Sequence, residues 1–203
     1  MFQTETKSLT FQQFIEQYGN HDRYELIDGE LVDLEPTGLH EQVAAFVSRK
    51  LNVAIDQADL PFFILQRCLV RLLGTATAFR PDVDVLDQNA LGREPLWRQE
   101  SIITLGTSIK LAIEVVSQNW ENDYARKVED YAALGIPELW IVDYLGLGGR
   151  DYIGYPKQPT LTICELVAEK YQKRLFRGDE RLISPTFPSL QLTAQQIFAA
   201  GQA

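Results

Sequence analysis

Histidine is scarce, with His21 and His40 the only two, and cysteine occurs twice, as Cys68 and Cys164. So few soft ligands, at no zinc-type spacing, exclude a zinc-finger or zinc-ribbon design. Both cysteines stand in apolar, strand-like text (ILQRCLV and LTICEL), which reads as two buried thiols in a reducing compartment. No segment approaches the length of a membrane span. The opening MFQTETKSLTFQQF has no apolar stretch following a basic one, so no leader is expected and the expected location is cytoplasmic. Positive charge is also in deficit: 19 Lys and Arg against 28 Asp and Glu give a formal net charge of −9. Such a field disfavours indiscriminate adhesion to nucleic acid, which would need a local basic strip. The densest is Lys170, Lys173, Arg174 and Arg177, which reads more readily as the solvated face of a hairpin than as a nucleic-acid contact. The glycines at 146, 148 and 149 precede no expected helix, so they form a loop and not a phosphate-binding fingerprint; no organic cofactor is expected.

What is present is an ordinary globular balance, 45% hydrophobic against 23% charged. Thr10 before FQQFIEQYG predicts a capped short helix ended by Gly19. YELIDGELVDL predicts a hairpin over 24–35, turning at Asp28-Gly29. Val43, Phe46, Val47, Leu51 and Ala54 fall at helical spacing, giving an amphipathic helix over about 40–57 that Leu60-Pro61 stops. Residues 62–73 read as one strand, or two joined by an irregularity, and a further strand starts at or just after Pro81. Residues 87–107 are polar and irregular, with a short helix. IKLAIEVV is the nearly unbroken apolar run of a central strand covered on both faces. Asn119 caps a helix through WENDYARKVEDYAAL, ended by Gly135 and Pro137, and ELWIVD is another buried strand. Segments 151–154, 161–167 and 170–176 read as an antiparallel extension, and a closing helix runs from Leu192-Thr193 to Ala200. The fold class is α/β, in the α+β sense of a mixed sheet with packed helices. It forms a single domain over 1–203 with a core at about 40–143, an N-terminal helix and hairpin at 9–35 and a C-terminal extension at 150–200.

One residue in this pattern asks for a chemical explanation. Glu114 interrupts a hydrophobic strand, where an unpaired carboxylate is costly to bury. Pairing with an arginine or a place at a sheet edge would explain it blandly; a position near the strand's carboxyl end would put it in a ligand crevice. Asp82, in RPDVDV, stands at the mouth of another strand, with Asp84 on the same face if the strand is regular. Two such carboxylates on neighbouring strands suit Mg²⁺ or Mn²⁺, completed by water and phosphate oxygens. In the helix that follows, Asp123, Lys127 and Tyr131 are spaced i, i+4, i+8 along one face. A solvent-facing Asp–Lys pair accounts for two of them; a lysine turned toward Glu114 would instead assist water activation or offset phosphate charge. His40 and Glu41 head the long helix and serve as caps or as supporting groups at the rim. Glu25 and Glu30 are weaker candidates, since the hairpin can place either in solvent.

The segments YELIDGELVDLEPTGLHEQV, RPDVDVLD, IEVVSQNWENDYARKVEDYAALGIPELWIVDY and RGDERLISPTFPSLQLTAQQIF resemble, in that order, the Uma family, small proteins abundant in cyanobacteria and described as restriction endonucleases. The resemblance spans roughly residues 8–200 and implies a branch of the PD-(D/E)XK nuclease superfamily, with its helix–three strands–helix–strand core. It implies Asp82 and Glu114 as magnesium or manganese ligands and Asp82, Glu114 and Lys127 as the catalytic set, with Glu41, His40 and Tyr131 in support. The superfamily's usual lysine position is occupied here by Val116, and Lys127 on the helix takes its place. Gln118 stands where relatives commonly carry proline. DNA is the implied substrate. A homodimer is the implied assembly for cutting a duplex, with Tyr171, Leu175 and Phe176 as candidate interface residues. The alternative is a nuclease-fold protein without catalysis that binds nucleic acid or a protein partner.

Overall fold

The computed structural model describes residues 8–202; the opening segment 1–7, where a leader would begin, lies outside them. Thr10 starts the first helix, α1 (Phe11–Tyr18), through a full capping box with Gln13. The expected hairpin follows as β1 (Tyr24–Ile27) and β2 (Glu30–Asp33). Its turn requires positive φ at both Asp28 (51°) and Gly29 (84°), which explains the Asp-Gly pair. Helix α2 (Gly38–Ala58) begins at Thr37, whose hydroxyl accepts the His40 amide. It ends where Asp59 turns left-handed.

The stretch 62–73 resolves into β3 (Phe62–Leu65) and β4 (Leu69–Leu72), which belong to different sheets. Arg67, at a φ of 56°, lies between them and redirects the chain. Next come β5 (Thr77–Phe79) and β6 (Val83–Asp87). The polar stretch 87–107 contains two 3₁₀ turns, as well as a short strand, β7 (Ile102–Ile103), which local polarity does not reveal. Strand β8 (Ile109–Val115) leads into a helix with a π-turn at Asn122–Arg126, continuing as α3 (Lys127–Leu134), and then β9 (Glu138–Asp143). Residues 151–154, expected as a strand, instead belong mainly to the short helix α4 (Arg150–Ile153), anchored by Arg177 Nη2 donating to the Ile153 carbonyl at 2.5 Å. Strands β10 (Thr160–Val167) and β11 (Lys170–Phe176) form the expected hairpin, and α5 (Ala194–Ala200) closes the chain behind a second capping box at Thr193.

The result is a mixed α/β fold with two sheets. One runs β2-β1-β5-β4-β7 and the other β11-β10-β9-β8-β6-β3. In the larger sheet β8 is central, antiparallel to β6 and parallel to β9, with the π-turn and α3 making the crossover. Leu111, Ile113 and Val115 point to one face, where they pack with α2 and α5 through Val47, Leu51, Ile197 and Phe198. Ile109, Ala112 and Val116 point to the other, against Tyr124, Tyr131, Phe79 and Ile103. Period-two alternation therefore puts Glu114 on the second face, between the sheet and α3. Helix α1 covers the outer face of the smaller sheet, packing Phe14 on Leu26, Leu69 and Ala78. No helix among the described residues is long and apolar enough to cross a membrane.

Candidate active site

Glu114 is 2% exposed, so its charge has to be answered by neighbours. Two groups from one face of the following helix do so. Lys127 Nζ donates to Oε2 at 2.9 Å, and the Tyr131 hydroxyl donates to Oε1 at 2.6 Å. Lys127 is itself only 3% exposed, and its ammonium also stands 3.1 Å from Glu25 and 3.5 Å from Asp123. Three carboxylates thus surround one cation in a dry setting whose apolar side is the Phe79 ring, 5.7 Å from Nζ. The expected i, i+4, i+8 face exists, but it is turned inward; the Asp123–Lys127 pair is no solvent-facing ornament.

Asp82 arrives from the neighbouring strand. Its Oδ2 accepts the Val115 amide at 2.7 Å, and His40 Nε2 lies 3.3 Å from the same oxygen while meeting the Val115 carbonyl at 2.9 Å. His40 is 7% exposed, and its Nδ1 is 3.4 Å from Glu41 Oε1 without forming a hydrogen bond. Glu41 faces outward instead and pairs with Arg67. Asp82, Glu114, Lys127, His40 and Tyr131 are therefore brought together, whereas Glu41 stands at the rim.

The charges follow from this arrangement. For Lys127, burial favours the neutral amine, but Glu114, Glu25 and Asp123 outweigh it and hold the ammonium well above its usual range. Burial drives Asp123 up to about 7 against the pull of Lys127. Burial alone would lower His40, but the Asp82 carboxylate, the Val115 carbonyl and Glu41 reverse it and raise the imidazolium to about 9. Asp84, two residues beyond Asp82, is fully buried with neither oxygen hydrogen-bonded. Its pKa lies well above the ordinary carboxylate range, through burial first and the nearby Glu114 second.

Three buried acids away from this cluster are satisfied by neutral donors. Glu138 takes the Trp140 indole N–H and the Thr186 amide; Glu94 takes two amides and a hydroxyl around Thr104; Asp143 takes the amides of Leu147 and Gly148. Those acids tie loops to strands. Glu114 differs in being answered by a lysine beside a cleft that reaches the surface.

That cleft is lined by Leu34, Pro36, His40, Arg67, Arg80, Asp82, Glu114, Val115, Ser117, Asp123 and Lys127. Its interior space of about 30 Å³ holds a water or an ion, so a larger substrate would meet the site at its mouth. Among the described residues no three His, Cys, Asp or Glu side chains surround one point as metal ligands. Arg80 is a site residue that the sequence did not single out, and Glu25, only a weaker candidate there, joins Asp123 beside Lys127. Glu25 is 1% exposed and accepts the Arg80 amide at 2.7 Å. Arg80 spends its guanidinium on the carbonyls of Tyr24, Arg67 and Gly19. The local hint of Glu25 is an acid in a four-residue strand, a signal that Glu30 of β2 shares while being exposed.

The fold is thus a mixed α/β one with two sheets, carrying a lysine–carboxylate cluster beside a surface cleft. The chain belongs to the Uma2 family, described as "Putative restriction endonuclease", which matches residues 11–195. It is similar in fold to the crystal structure of a "putative nuclease belonging to DUF820" from Anabaena variabilis ATCC 29413, with a TM-score of 0.72 and 16% identity, covering 95% of this chain and 99% of that one. No curated protein matches the chain.

Proposed function

We propose that the protein is an endonuclease of the PD-(D/E)XK type that hydrolyses phosphodiester bonds in DNA, using Mg²⁺ or Mn²⁺. The observation that carries this reading is the convergence of Lys127 on Glu114 at 2.9 Å, with Asp82, just before the adjoining strand β6, accepting the neighbouring Val115 amide at 2.7 Å. The order α2-β3-β6-β8-α3-β9 around the larger sheet supports the nuclease-type core at about 40–143 within one domain. Asp82 and Glu114 are the residues that would hold the cation. Two carboxylates are an adequate protein share for magnesium, which keeps waters and takes phosphate oxygens for the remainder. A cation bound there supplies Lewis acidity toward the phosphate and an acidified water.

The chain's own groups divide the remaining work. Lys127 is kept as a cation by its three acids, so its role is stabilisation of charge building on the phosphate, and not proton abstraction. Tyr131 holds Glu114 in orientation through Oε1. His40 and the Val115 amide hold Asp82. A second reading, an inactive nuclease-fold protein binding nucleic acid or a partner, draws on Glu114 having both oxygens already engaged.

Mn²⁺ titration and cleavage of single- and double-stranded DNA and RNA by wild type, Asp82→Asn, Glu114→Gln and Lys127→Met separate the two. Expected are weakened metal binding in the two acid variants and a loss of roughly 10²–10⁴-fold in cleavage rate for Lys127→Met with metal binding retained. Equal metal binding by all four proteins, or unchanged cleavage by a folded Lys127→Met, overturns the mechanism. Either Lys127→Met or Lys127→Ala leaves the buried carboxylates of Glu114, Glu25 and Asp123 without their cation, at about 3–5 kcal/mol, so rates are compared only on protein whose melting curve shows it folded.

A further inference from the structure

We propose that the loop after β9, together with the start of the π-turn helix, is a stacking platform for unpaired bases of a nucleic-acid strand. This rests on the nuclease reading for its biological meaning but concerns a separate surface. Trp120 and Tyr152 meet edge to face with centroids 6.1 Å apart, and Tyr152 stacks on Tyr124 at 5.0 Å and 25°. Tyr124 is buried, Trp120 and Tyr152 are half-buried, and Tyr155 is 77% exposed. The rings therefore pass from the core outward to solvent.

Each outer ring is accompanied by a cation. Arg150 lies 4.6 Å from the Tyr155 centroid, Lys157 5.8 Å from Trp120, and Lys173 of β11 5.6 Å from Tyr152. Over 144–159 the chain carries Arg150 and Lys157 against Asp151 alone, in a molecule of formal charge −9. Aromatic faces interleaved with cations are the chemistry that holds a single strand: bases stack and phosphates pair.

The platform is built, not incidental. Asp143 accepts the amides of Leu147 and Gly148 at 2.9 and 2.8 Å, and Arg177 holds the far end of α4. Gly149 packs so closely that a Cβ there would stand 2.8 Å from the Trp120 ring, and one on Gly148 would stand 2.8 Å from Tyr124. The glycines thus let the loop backbone pack closely beside these rings. Position suits the purpose too, since Trp120 stands between Ser117 and Asp123, both of which line the cleft.

The test is fluorescence polarisation in EDTA with labelled dT₁₂, U₁₂ and a 12-base-pair duplex. The proteins are wild type, Tyr155→Ala/Lys157→Ala and Arg150→Glu/Lys173→Glu, all surface changes whose melting temperatures are compared. Wild type is expected to bind the single strands more tightly than the duplex, and each double variant to lose roughly 10- to 100-fold with little change in melting temperature. Quenching of tryptophan emission by dT₁₂, lost in Trp120→Phe, is expected alongside. A preference between dT₁₂ and U₁₂ identifies whether the strand is DNA or RNA. No single-strand binding by wild type, tighter duplex binding, or unchanged affinity in both variants overturns the platform. Platform binding without any metal-dependent cleavage defeats the nuclease reading instead and leaves this surface standing.

Discussion

His40 illustrates how a residue's surroundings determine its chemistry. In the sequence it heads a helix and could be a cap; in the fold its ring is shut between α2 and the end of β8, facing the Asp82 carboxylate. The native imidazolium is raised from 6.5 to about 9, so between those values the folded chain holds a proton that the unfolded chain has released. Its contribution to stability is full below pH 6.5 and is lost as pH rises through 9. Urea unfolding of metal-free protein in EDTA should show wild type losing on the order of 2 kcal/mol more than His40→Asn between pH 6 and 9.5. Parallel pH profiles for the two proteins would remove this ion pair from the account of the site.

At the scale of elements, the site depends on where α3 docks. The helix brings Lys127 and Tyr131 to Glu114 only if its C-terminal end rests on the segment before β8, and Gly106 makes that contact. A Cβ on Gly106 would stand 2.2 Å from the Leu134 carbonyl oxygen and 2.7 Å from its carbon, both backbone atoms that cannot swing away. Gly106→Ala should therefore cost about 1–3 kcal/mol in urea unfolding, the usual range for forced overpacking. Gly92→Ala, which meets nothing within 4 Å, is the control and should stay within about 0.5 kcal/mol of wild type. Similar midpoints for the two variants would show that α3 is not seated through Gly106. The π-turn belongs to the same element: a widened turn at Asn122–Arg126 sits between Trp120 and Lys127 and sets their relative rotation.

For the whole molecule, the net charge of −9 limits how nucleic acid can be held. Contact through Arg150, Lys157 and Lys173 alone predicts a shallow salt dependence, a slope of roughly −2 in log affinity against log salt for a single strand. A slope beyond about −5 would mean that a larger basic surface does the binding. The strip at 170–177 contributes less than its composition suggests. Lys170, Lys173 and Arg174 are exposed on the sheet's edge strand, whereas Arg177 is committed to Thr160 and Ile153. That row of like charges discourages pairing of one β11 edge with another. Of the three residues considered for a dimer interface, Phe176 is in the core and Tyr171 is half-buried with its hydroxyl on the Ile136 carbonyl, which leaves Leu175.

What the sequence determined by itself is what depends on near neighbours: the capped helix at Thr10, the closing helix from Thr193, the Asp28-Gly29 hairpin, and the alternation that made β8 a central strand with one anomalous acid. The approach of Lys127 and Tyr131 to Glu114 was legible because β8 and the helix after it are adjacent in the chain, and period and spacing carry across one connection, whereas Asp82 meets Val115 across 33 residues. Glu25 and Arg80 were not legible in this way, since they reach the site from the smaller sheet and nothing local separates buried Glu25 from exposed Glu30. The split of 62–73 between two sheets and the helical form of 150–153 were decided by long-range partners, hydrogen bonds to β6, β5 and Arg177. Tertiary structure alone also decided the charge of the site. Only after the two sheets enclose Lys127 does an ordinary lysine become a cation held by three acids, because the strength of an ion pair depends on the water excluded around it.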